Sequence, residues 1–370
     1  MVDLISQHQK IREELDQEIA NIIDNAAFIK GAAVNQFENN LASYLGCERV
    51  IACGNGTDAL QAAFMALNLP EGSEVIVPDF TFIATAEVLA LLNLTPVFVD
   101  VKEDTFNLDP EKIEAAITEK TRAIVPVHMF GLPCEMERIL EIASANNLFV
   151  IEDTAQGMGA SYTFSDGSTK KVGTMGHLGC TSFFPSKNLS CMGDGGAIYT
   201  NDAELGQRVA EICNHGMSAQ YSYAHIGINS RLDGIQAAIL NVKLKHLDEY
   251  NDARRKAAAT YSKGLSGIEQ LVLPIEQAES HHIFHQYTLK IMDDSRDALM
   301  NYLSEKDIPT KIYYPIPFHA HDPYNGFPHD LSQLETSIWL SDHVLSLPMH
   351  TELDDEQLAY IIDAITEFYN

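Results

Sequence analysis

The stretch TSFFPSKNLSCMGDGGAIYTND (181–202) joins two strand-like runs through a glycine-rich turn. Within it, Lys187 follows two phenylalanines and a proline, so its amine is set among apolar residues. Such surroundings disfavour the charged form of a lysine and lower its pKa, as lysines that bond covalently to carbonyl groups require. The alternative is a lysine whose stem lies on apolar surface while its ammonium group stays in water. This stretch alone leaves both interpretations open.

Outward from this stretch, short apolar runs alternate with helical patterns such as DALQAAFMAL (58–67) and EMERILEIASA (135–145). Nearly continuous apolar strands that alternate with helices are typical of an α/β fold whose sheet is covered on both faces. We therefore predict a seven-stranded, mostly parallel sheet. Its last two strands have no helix between them, and we expect them to pair locally and make the sheet mixed. The seven runs are VIACG (50–54), EVIVP (74–78), TPVFVD (95–100), AIVPVHMF (123–130), FVIEDT (149–154), CTSFF (180–184) and GGAIYT (195–200).

The pattern changes after position 229. A long helical region over 231–263 predicts a connection to a second unit, in which strands and helices follow a different order. We predict a large domain over residues 1–245 and a smaller α+β domain over residues 246–370. The runs assigned to the smaller domain are FHQYTLKI (284–291), a helix near 295–305, TKIYYP (310–315), VLSLPMH (344–350) and a helix near 354–369.

The composition excludes several kinds of partner. The formal net charge is −28 and the sequence pI is near 4.7, so the surface repels nucleic acid and anionic membranes. The first residues, MVDLISQHQK, have no apolar signal core, and no run reaches the ~18 apolar residues of a membrane span. The six cysteines form no C-x-x-C pair and indicate reduced core residues. We expect a cytoplasmic protein.

Two further segments place polar groups where strands end. GNGTDALQAAF (54–64) follows a strand and opens a helix, where free N–H groups and the helix dipole favour a phosphate; Thr57 adds a hydroxyl, and Asp58 is suited to cap the helix. A plain strand–turn–helix corner is the alternative. Asp153 ends an apolar strand, at the edge where ligands of open α/β sheets gather. It is either a turn former or the partner of a cofactor's pyridinium nitrogen.

The remaining candidates are ambiguous from their residues alone. Phe82 is suited either to stack on a flat ring or to pack in the core, and Asn229 and Arg231 stand where a helix begins. The histidines of HHIFH (281–285) have loosely metal-like spacing, but no Cys, Asp or Glu completes a set of ligands. We therefore expect no metal site.

Six segments, taken together and in this order, resemble a known family, although none of them is specific enough alone. Together they resemble the DegT/DnrJ/StrS family of sugar aminotransferases, which are pyridoxal-phosphate (PLP) enzymes of fold type I. The resemblance runs from about Asp3 to SLPMH (346–350). The six segments are GNGTDAL, FTFIAT, EDTAQ, SFFPSK, GDGGAIYTND and NSRLDGIQAAIL.

The resemblance implies a role for each matching position around the cofactor. Lys187 is the lysine that binds PLP covalently, and Asp153 is the partner of its pyridine nitrogen. Gln156 lies near its phenolic oxygen, and Phe82 stacks on its ring. The residues implied to cradle the phosphate are Gly56, Thr57 and Ser182.

Four more roles are implied by the same resemblance. Asn229 contacts the phosphate in the site of the other subunit, which implies a homodimer with shared active sites. Arg231, Tyr314 and His319 lie in segments that the family uses around the nucleotide sugar.

The implied reaction moves an amino group from L-glutamate to a UDP-linked keto sugar with ping-pong kinetics. Within the family, the chain resembles enzymes that aminate C3 of UDP-2-acetamido-3-keto-glucuronate for O-antigen and lipopolysaccharide sugars. The alternatives are a 4-keto nucleotide-sugar aminotransferase, a PLP-dependent sugar dehydratase and a non-catalytic regulator. The dehydratases carry histidine where this chain has Lys187, and a regulator does not need a complete catalytic set.

Overall fold

A computed structural model describes residues 1–370. The α-helices are α1 (Leu4–Lys10), α2 (Arg12–Asp24), α3 (Ala32–Leu45), α4 (Gly56–Leu67), α5 (Ala84–Leu91), α6 (Pro110–Ala116), α7 (Met136–Ala145), α8 (Ala203–Ile212), α9 (Gly234–Leu244), α10 (Leu247–Leu265), α11 (Arg296–Glu305), α12 (Glu335–His343) and α13 (Asp355–Tyr369). The strands are β1 (Arg49–Cys53), β2 (Glu74–Pro78), β3 (Thr95–Val99), β4 (Thr121–Ile124), β5 (Phe149–Asp153), β6 (Ser161–Thr163), β7 (Thr169–Lys171), β8 (Leu178–Ser182), β9 (Gly196–Thr200), β10 (Met217–Ala219), β11 (Ser222–Tyr223), β12 (Leu271–Val272), β13 (Ser280–His281), β14 (Tyr287–Ile291) and β15 (Val344–Leu347).

The central sheet has seven strands in the order β1-β9-β8-β5-β4-β2-β3. Strand β9 is antiparallel to both of its neighbours, and all the other pairs are parallel. The predicted seven-stranded, mostly parallel sheet is therefore confirmed, including the local pairing of its last two strands in the chain. The carboxyl ends of β1, β5 and β8 lie at the same edge.

Helices cover the sheet on both faces, and most residues of its strands are apolar. Along β2, Val75 and Val77 pack in one core with α4 and α5, whereas Ile76 points to the opposite face and packs in a second core with α6 and α7. Successive side chains of a strand point to opposite faces, so a strand buried on both sides must be apolar at nearly every position.

A smaller antiparallel sheet, β12-β14-β15, lies in the C-terminal part of the chain. Its apolar residues share one core with α10, α11 and α13. The domain boundary at 245/246 remains a prediction. None of the helices has the length and apolar character needed to cross a membrane.

Two sequence expectations differ from the structure. The helical region predicted over 231–263 is two helices, α9 and α10, because the helix is interrupted at residues 245–246. Asp248 and Glu249 then stabilise the N-terminus of the second helix. TKIYYP (310–315) makes only one bridge, between Lys311 and Ser346, and is not a strand. Pro315 and Pro317 lack the N–H groups that a continuing ladder would need.

Candidate active site

One cavity of ≈ 470 Å³ opens at the edge where β1, β5 and β8 end. It brings together eight of the eleven residues predicted for the site, although they are distributed from position 56 to position 314 of the chain. Those eight are Gly56, Thr57, Phe82, Asp153, Gln156, Ser182, Lys187 and Tyr314.

The start of α4 presents free backbone N–H groups to this cavity. The helix is capped by Asn55, whose side chain accepts a hydrogen bond from the amide of Asp58 at 2.8 Å, so Asp58 is not the cap expected from the sequence. The first two amides, those of Gly56 and Thr57, precede the helical ladder and remain available to an anion. A Cβ at Gly56 would lie 2.6 Å from Cβ of Ser182, so only glycine lets the helix start so close to β8.

The hydroxyl of Ser182 lies beside these amides. Its Oγ accepts the amide of Phe184 at 3.2 Å, which leaves its own hydrogen free to donate into the cavity. Two backbone amides and one hydroxyl therefore converge where a phosphate group would fit, and this arrangement favours an anion over a neutral group.

Asp153 is the buried carboxylate of the cavity. Its Oδ1 accepts the amide of Ala155 at 3.0 Å, and its Oδ2 accepts the hydroxyl of Thr85 at 3.0 Å. Burial raises the pKa of the Asp153 carboxyl, while these two hydrogen bonds and the charge of Lys187 oppose the rise. The turn-forming bond to Ala155 coexists with an orientation toward the cavity, so the two interpretations of this residue are compatible.

Lys187 lies partly buried in the cavity wall. Burial lowers the pKa of its amine to about 8, and the carboxylate of Asp153 opposes this shift. A larger share of the amine is thus unprotonated near neutral pH than in an exposed lysine, which is the state that a nucleophile or a base needs.

Phe82, Gln156 and Tyr314 form an aromatic and amide wall. Phe82 is 55% exposed, which rules out core packing, and its ring centroid is 6.4 Å from that of Tyr314. Gln156 donates from Nε2 to the Tyr314 hydroxyl at 3.1 Å and accepts the amide of Phe130 at 2.8 Å. The amide of Gln156 is therefore fixed, and the exposed ring of Phe82 is free to stack on a flat ligand.

The other three predicted residues lie outside the cavity of their own chain. Asn229 is exposed and pairs with Asn214 through a single bridge. Arg231 lines a separate cavity of ≈ 200 Å³ and makes no ion pair within its chain. His319 is buried against Asp79, with 2.7 Å between Nδ1 and Oδ2.

Sequence reasoning missed two residues of the cavity region. Thr85, which holds Asp153, lies in the first turn of α5, whereas Phe82 precedes that helix. No spacing in the sequence signals the contact between Thr85 and Asp153. His285 also lines the cavity, whereas the spacing of the HHIFH segment suggests only a metal site. No local pattern predicts its contact with the loop of Lys187.

A PLP molecule fits the groups that this cavity presents. One edge of the sheet brings together four such groups: a lysine of lowered pKa, a buried carboxylate suited to a ring nitrogen, an exposed aromatic face, and a helix N-terminus suited to a phosphate. This fold and this site define a PLP-dependent transferase of fold type I.

The chain belongs to the DegT/DnrJ/EryC1/StrS aminotransferase family, whose family model matches residues 9–366. It is a PLP-dependent aminotransferase. Among solved structures, an aminotransferase of this family from Brucella abortus has a TM-score of 0.95 at 40% identity, with 100% of this chain and 99% of that chain covered. The NtdA protein of Bacillus subtilis, solved with bound cofactor PMP, has a TM-score of 0.88 at 31% identity, with 97% and 82% covered.

Three curated relatives match over nearly their full lengths. A protein of Geobacillus stearothermophilus named "Pleiotropic regulatory protein" is 42% identical over 100% of this chain and 98% of its own. A UDP-N-acetyl-3-dehydro-alpha-D-glucosamine 3-aminotransferase of Acidithiobacillus ferrooxidans is 43% identical over 99% and 96%. The UDP-2-acetamido-2-deoxy-3-oxo-D-glucuronate aminotransferase of Pseudomonas aeruginosa is 40% identical over 99% and 99%.

Proposed function

We propose that this enzyme transfers the amino group of L-glutamate to C3 of UDP-2-acetamido-3-keto-glucuronate, in the cytoplasm, to supply an amino sugar for lipopolysaccharide O-antigen. The observation that supports amino transfer is the meeting of Lys187, Asp153 and the free start of α4 in one cavity. The relatives from A. ferrooxidans and P. aeruginosa, both named as aminotransferases of UDP-linked 3-keto sugars, support the choice of substrate.

We propose a division of labour among the residues of the cavity. PLP, when bound, supplies an electron-withdrawing ring that makes the α-proton of the amino donor acidic. Lys187 binds the cofactor covalently at rest and, once released, moves that proton. Asp153 keeps a proton on the ring nitrogen, and Thr85 and Ala155 orient its carboxylate. The amides of Gly56 and Thr57 and the hydroxyl of Ser182 hold the phosphate.

The charge of the cavity supports a contribution from a second subunit. Lys187 is the only lysine or arginine in the lining, which also contains the carboxylates of Asp153 and Asp194. A UDP-uronate carries a diphosphate and a carboxylate, so cations must come from elsewhere. Asn229 and Arg231 lie outside their own cavity, and we propose that a homodimer places them in the site of the partner.

Ser230 fixes the segment that we assign to the partner's site. Its Oγ donates to Oδ2 of Asp58 at 2.7 Å and accepts the amide of Gly54 at 2.9 Å. The backbone that carries Asn229 and Arg231 is thereby held near the first turn of α4. Such anchoring reduces the entropy lost when they bind a ligand across an interface.

A regulatory role is the alternative that one relative's name raises. In this chain the cavity contains Lys187 and Asp153, the groups that we assign to proton transfer and to the ring nitrogen, which favours the enzyme. The two roles are separated by adding L-glutamate to the PLP-loaded protein and measuring its visible absorption. An aminotransferase converts the bound PLP and changes the spectrum, whereas a regulator without catalysis leaves the spectrum unchanged.

The substrate is tested by running the sugar half-reaction in reverse without an acceptor, after which added 2-oxoglutarate should restore the visible band. We expect UDP-3-amino-2-acetamido-glucuronate to bleach the visible band of the PLP-loaded enzyme, because its amine is placed at the carbon that the enzyme aminates. A UDP-4-amino sugar is the matched control and should leave the band in place. Bleaching by the 4-amino sugar alone would replace the C3 assignment with the 4-keto alternative.

Arg231→Ala should weaken turnover of the UDP-uronate by about 10- to 150-fold, since a charge-assisted hydrogen bond contributes about 1.5–3 kcal/mol. The affinity for PLP should change far less, because the guanidinium is assigned to the sugar carboxylate. Steady-state kinetics and cofactor titration measure the two effects. Arg138→Ala is the control, an exposed arginine that pairs with Glu114 on the surface. An Arg231 variant with normal kinetics would remove this account of carboxylate recognition.

A further inference from the structure

A buried chain of hydrogen bonds runs from the residue beside Lys187 into the C-terminal part of the protein. Asn188 donates from Nδ2 to Oδ1 of Asn251 at 2.7 Å, and its own Oδ1 lies 2.9 Å from Nδ1 of His285. Asn251 in turn donates to the carbonyl of Met158 at 3.2 Å. All three side chains are buried, with 6%, 3% and 5% of their surfaces exposed for Asn188, Asn251 and His285 respectively.

The close approach of Asn251 depends on a glycine. A Cβ at Gly159 would lie 2.3 Å from Nδ2 of Asn251, and Gly159 has a φ of +100°, which other residues rarely adopt. The backbone therefore leaves room for one particular amide at this point. The packing fixes Asn251, and Asn251 fixes Asn188.

The order of donors and acceptors determines where the hydrogen of His285 lies. Because the Asn251 amide donates to a carbonyl, its oxygen accepts from Asn188, and the oxygen of Asn188 is left to accept from the imidazole. Nδ1 of His285 must therefore carry a hydrogen, and a neutral imidazole then has an acceptor at Nε2.

The surroundings keep this imidazole neutral. Burial, together with the charges of Lys187 and Arg254, holds the pKa of His285 well below its ordinary value. Arg254 is buried and donates to the carbonyls of His285 and Met349 at 3.1 and 3.2 Å, so no carboxylate cancels its charge. Nε2 makes no hydrogen bond within the chain and is not among the fully buried unpaired atoms, and the ring lines the cavity.

We propose that His285 Nε2 is the hydrogen-bond acceptor that orients the Lys187 amine when this amine is free, and that Asn188 and Asn251 hold His285 in the tautomer that this task needs. Both residues line the same cavity. The carboxylate of Asp153 is already bonded to Thr85 and Ala155 and is assigned to the ring nitrogen. His285 thus gives the amine a neutral acceptor that is separate from the carboxylate of Asp153.

The proposal rests on Lys187 as the cofactor-binding lysine, which borohydride labelling tests separately. Its direct test is nitrogen NMR of ¹⁵N-histidine-labelled protein loaded with pyridoxamine phosphate, the form in which Lys187 is a free amine. We expect a signal from a histidine with its hydrogen on Nδ1 that is absent in His285→Gln. The Nε2 signal of this histidine should shift in Lys187→Ala. A His285 protonated on Nε2, or an Nε2 signal unaffected by Lys187→Ala, would overturn the proposal.

Kinetics supply the second readout. His285→Gln should lower kcat of the glutamate half-reaction by about 2- to 13-fold, the range for one hydrogen bond between neutral groups, with little change in the affinity for pyridoxamine phosphate. His282→Gln is the matched control, since His282 is equally buried three positions earlier, bonds the carbonyl of Phe130 and lies outside this cavity. Equal effects of the two variants would contradict the assignment.

Asn188→Asp tests the same idea without removing the imidazole. A carboxylate beside Nδ1 stabilises the doubly protonated ring, which has no acceptor at Nε2. We expect kcat to fall as in His285→Gln, and the double variant to be no slower than either single variant. Additive losses would show that the two residues act independently and would count against the chain of contacts. This variant also gives an answer should His285→Gln fail to fold.

Discussion

Lys187→Ala should abolish turnover while the protein continues to bind PLP. We expect kcat to fall by about 10⁴-fold or more, the upper end of what a positioned acid or base contributes, because we also assign this amine to covalent binding of the cofactor. The phosphate cradle that we propose, Gly56, Thr57 and Ser182, is untouched by the change and should retain the cofactor without a covalent bond. Stopped-flow kinetics and equilibrium dialysis with PLP measure the two properties.

The identity of the lysine is checked chemically in the wild-type protein. Borohydride should fix PLP on Lys187, and peptide mapping should find the label there alone. Lys243 is the internal control, because it is also buried and burial lowers its pKa to about 8, yet it lies outside the cavity. Label on Lys243 or on any other lysine would falsify the assignment of Lys187.

Two inactive variants should restore activity when their subunits exchange. Lys187→Ala lacks the amine, and Asn229→Asp places a carboxylate where we propose that the partner's phosphate binds. In a mixed dimer, one site combines the native Lys187 of one chain with the native Asn229 of the other. Random exchange makes half of the dimers mixed, each with one intact site, so we expect about a quarter of the wild-type activity.

A second mixture is the control for this experiment. Lys187 and Asp153 both belong to the cavity of their own chain. In a mixed dimer of Lys187→Ala and Asp153→Asn, each cavity therefore lacks one of the two residues, and the dimer should stay inactive. Subunit exchange is verified with differently tagged chains. If verified exchange leaves the first mixture as inactive as the second, each site is complete within its own chain and the shared-site proposal fails.

The parts of the site that follow strands were predictable from the sequence. Asp153 and Ser182 end β5 and β8, and Gly56 opens α4 after β1, so the order of the sheet brings them together at one edge. The apolar strands indicated the sheet, and the resemblance then added the role of Lys187, which the surrounding residues alone had left open.

The contacts between distant segments were not predictable in this way. Asn188 meets Asn251 and His285 only after the C-terminal part has packed, and no local spacing signals such a contact. The interruption between α9 and α10 was also not predictable, because no glycine or proline marks it. The roles of Asn229 and Arg231 in the partner's site remain predictions.

The position of β1 in the sheet has a consequence for synthesis of the chain on the ribosome. This strand comes first in the sequence but pairs only with β9, so that Arg49 lies opposite Thr200. The loop that follows β1 carries the amides that we assign to the phosphate, and β1 itself has no strand to pair with until β9 has emerged. Pairing between such distant segments forms slowly, because the long loop between them must first close. The nascent chain therefore acquires its cofactor late, after most of the large sheet has been translated.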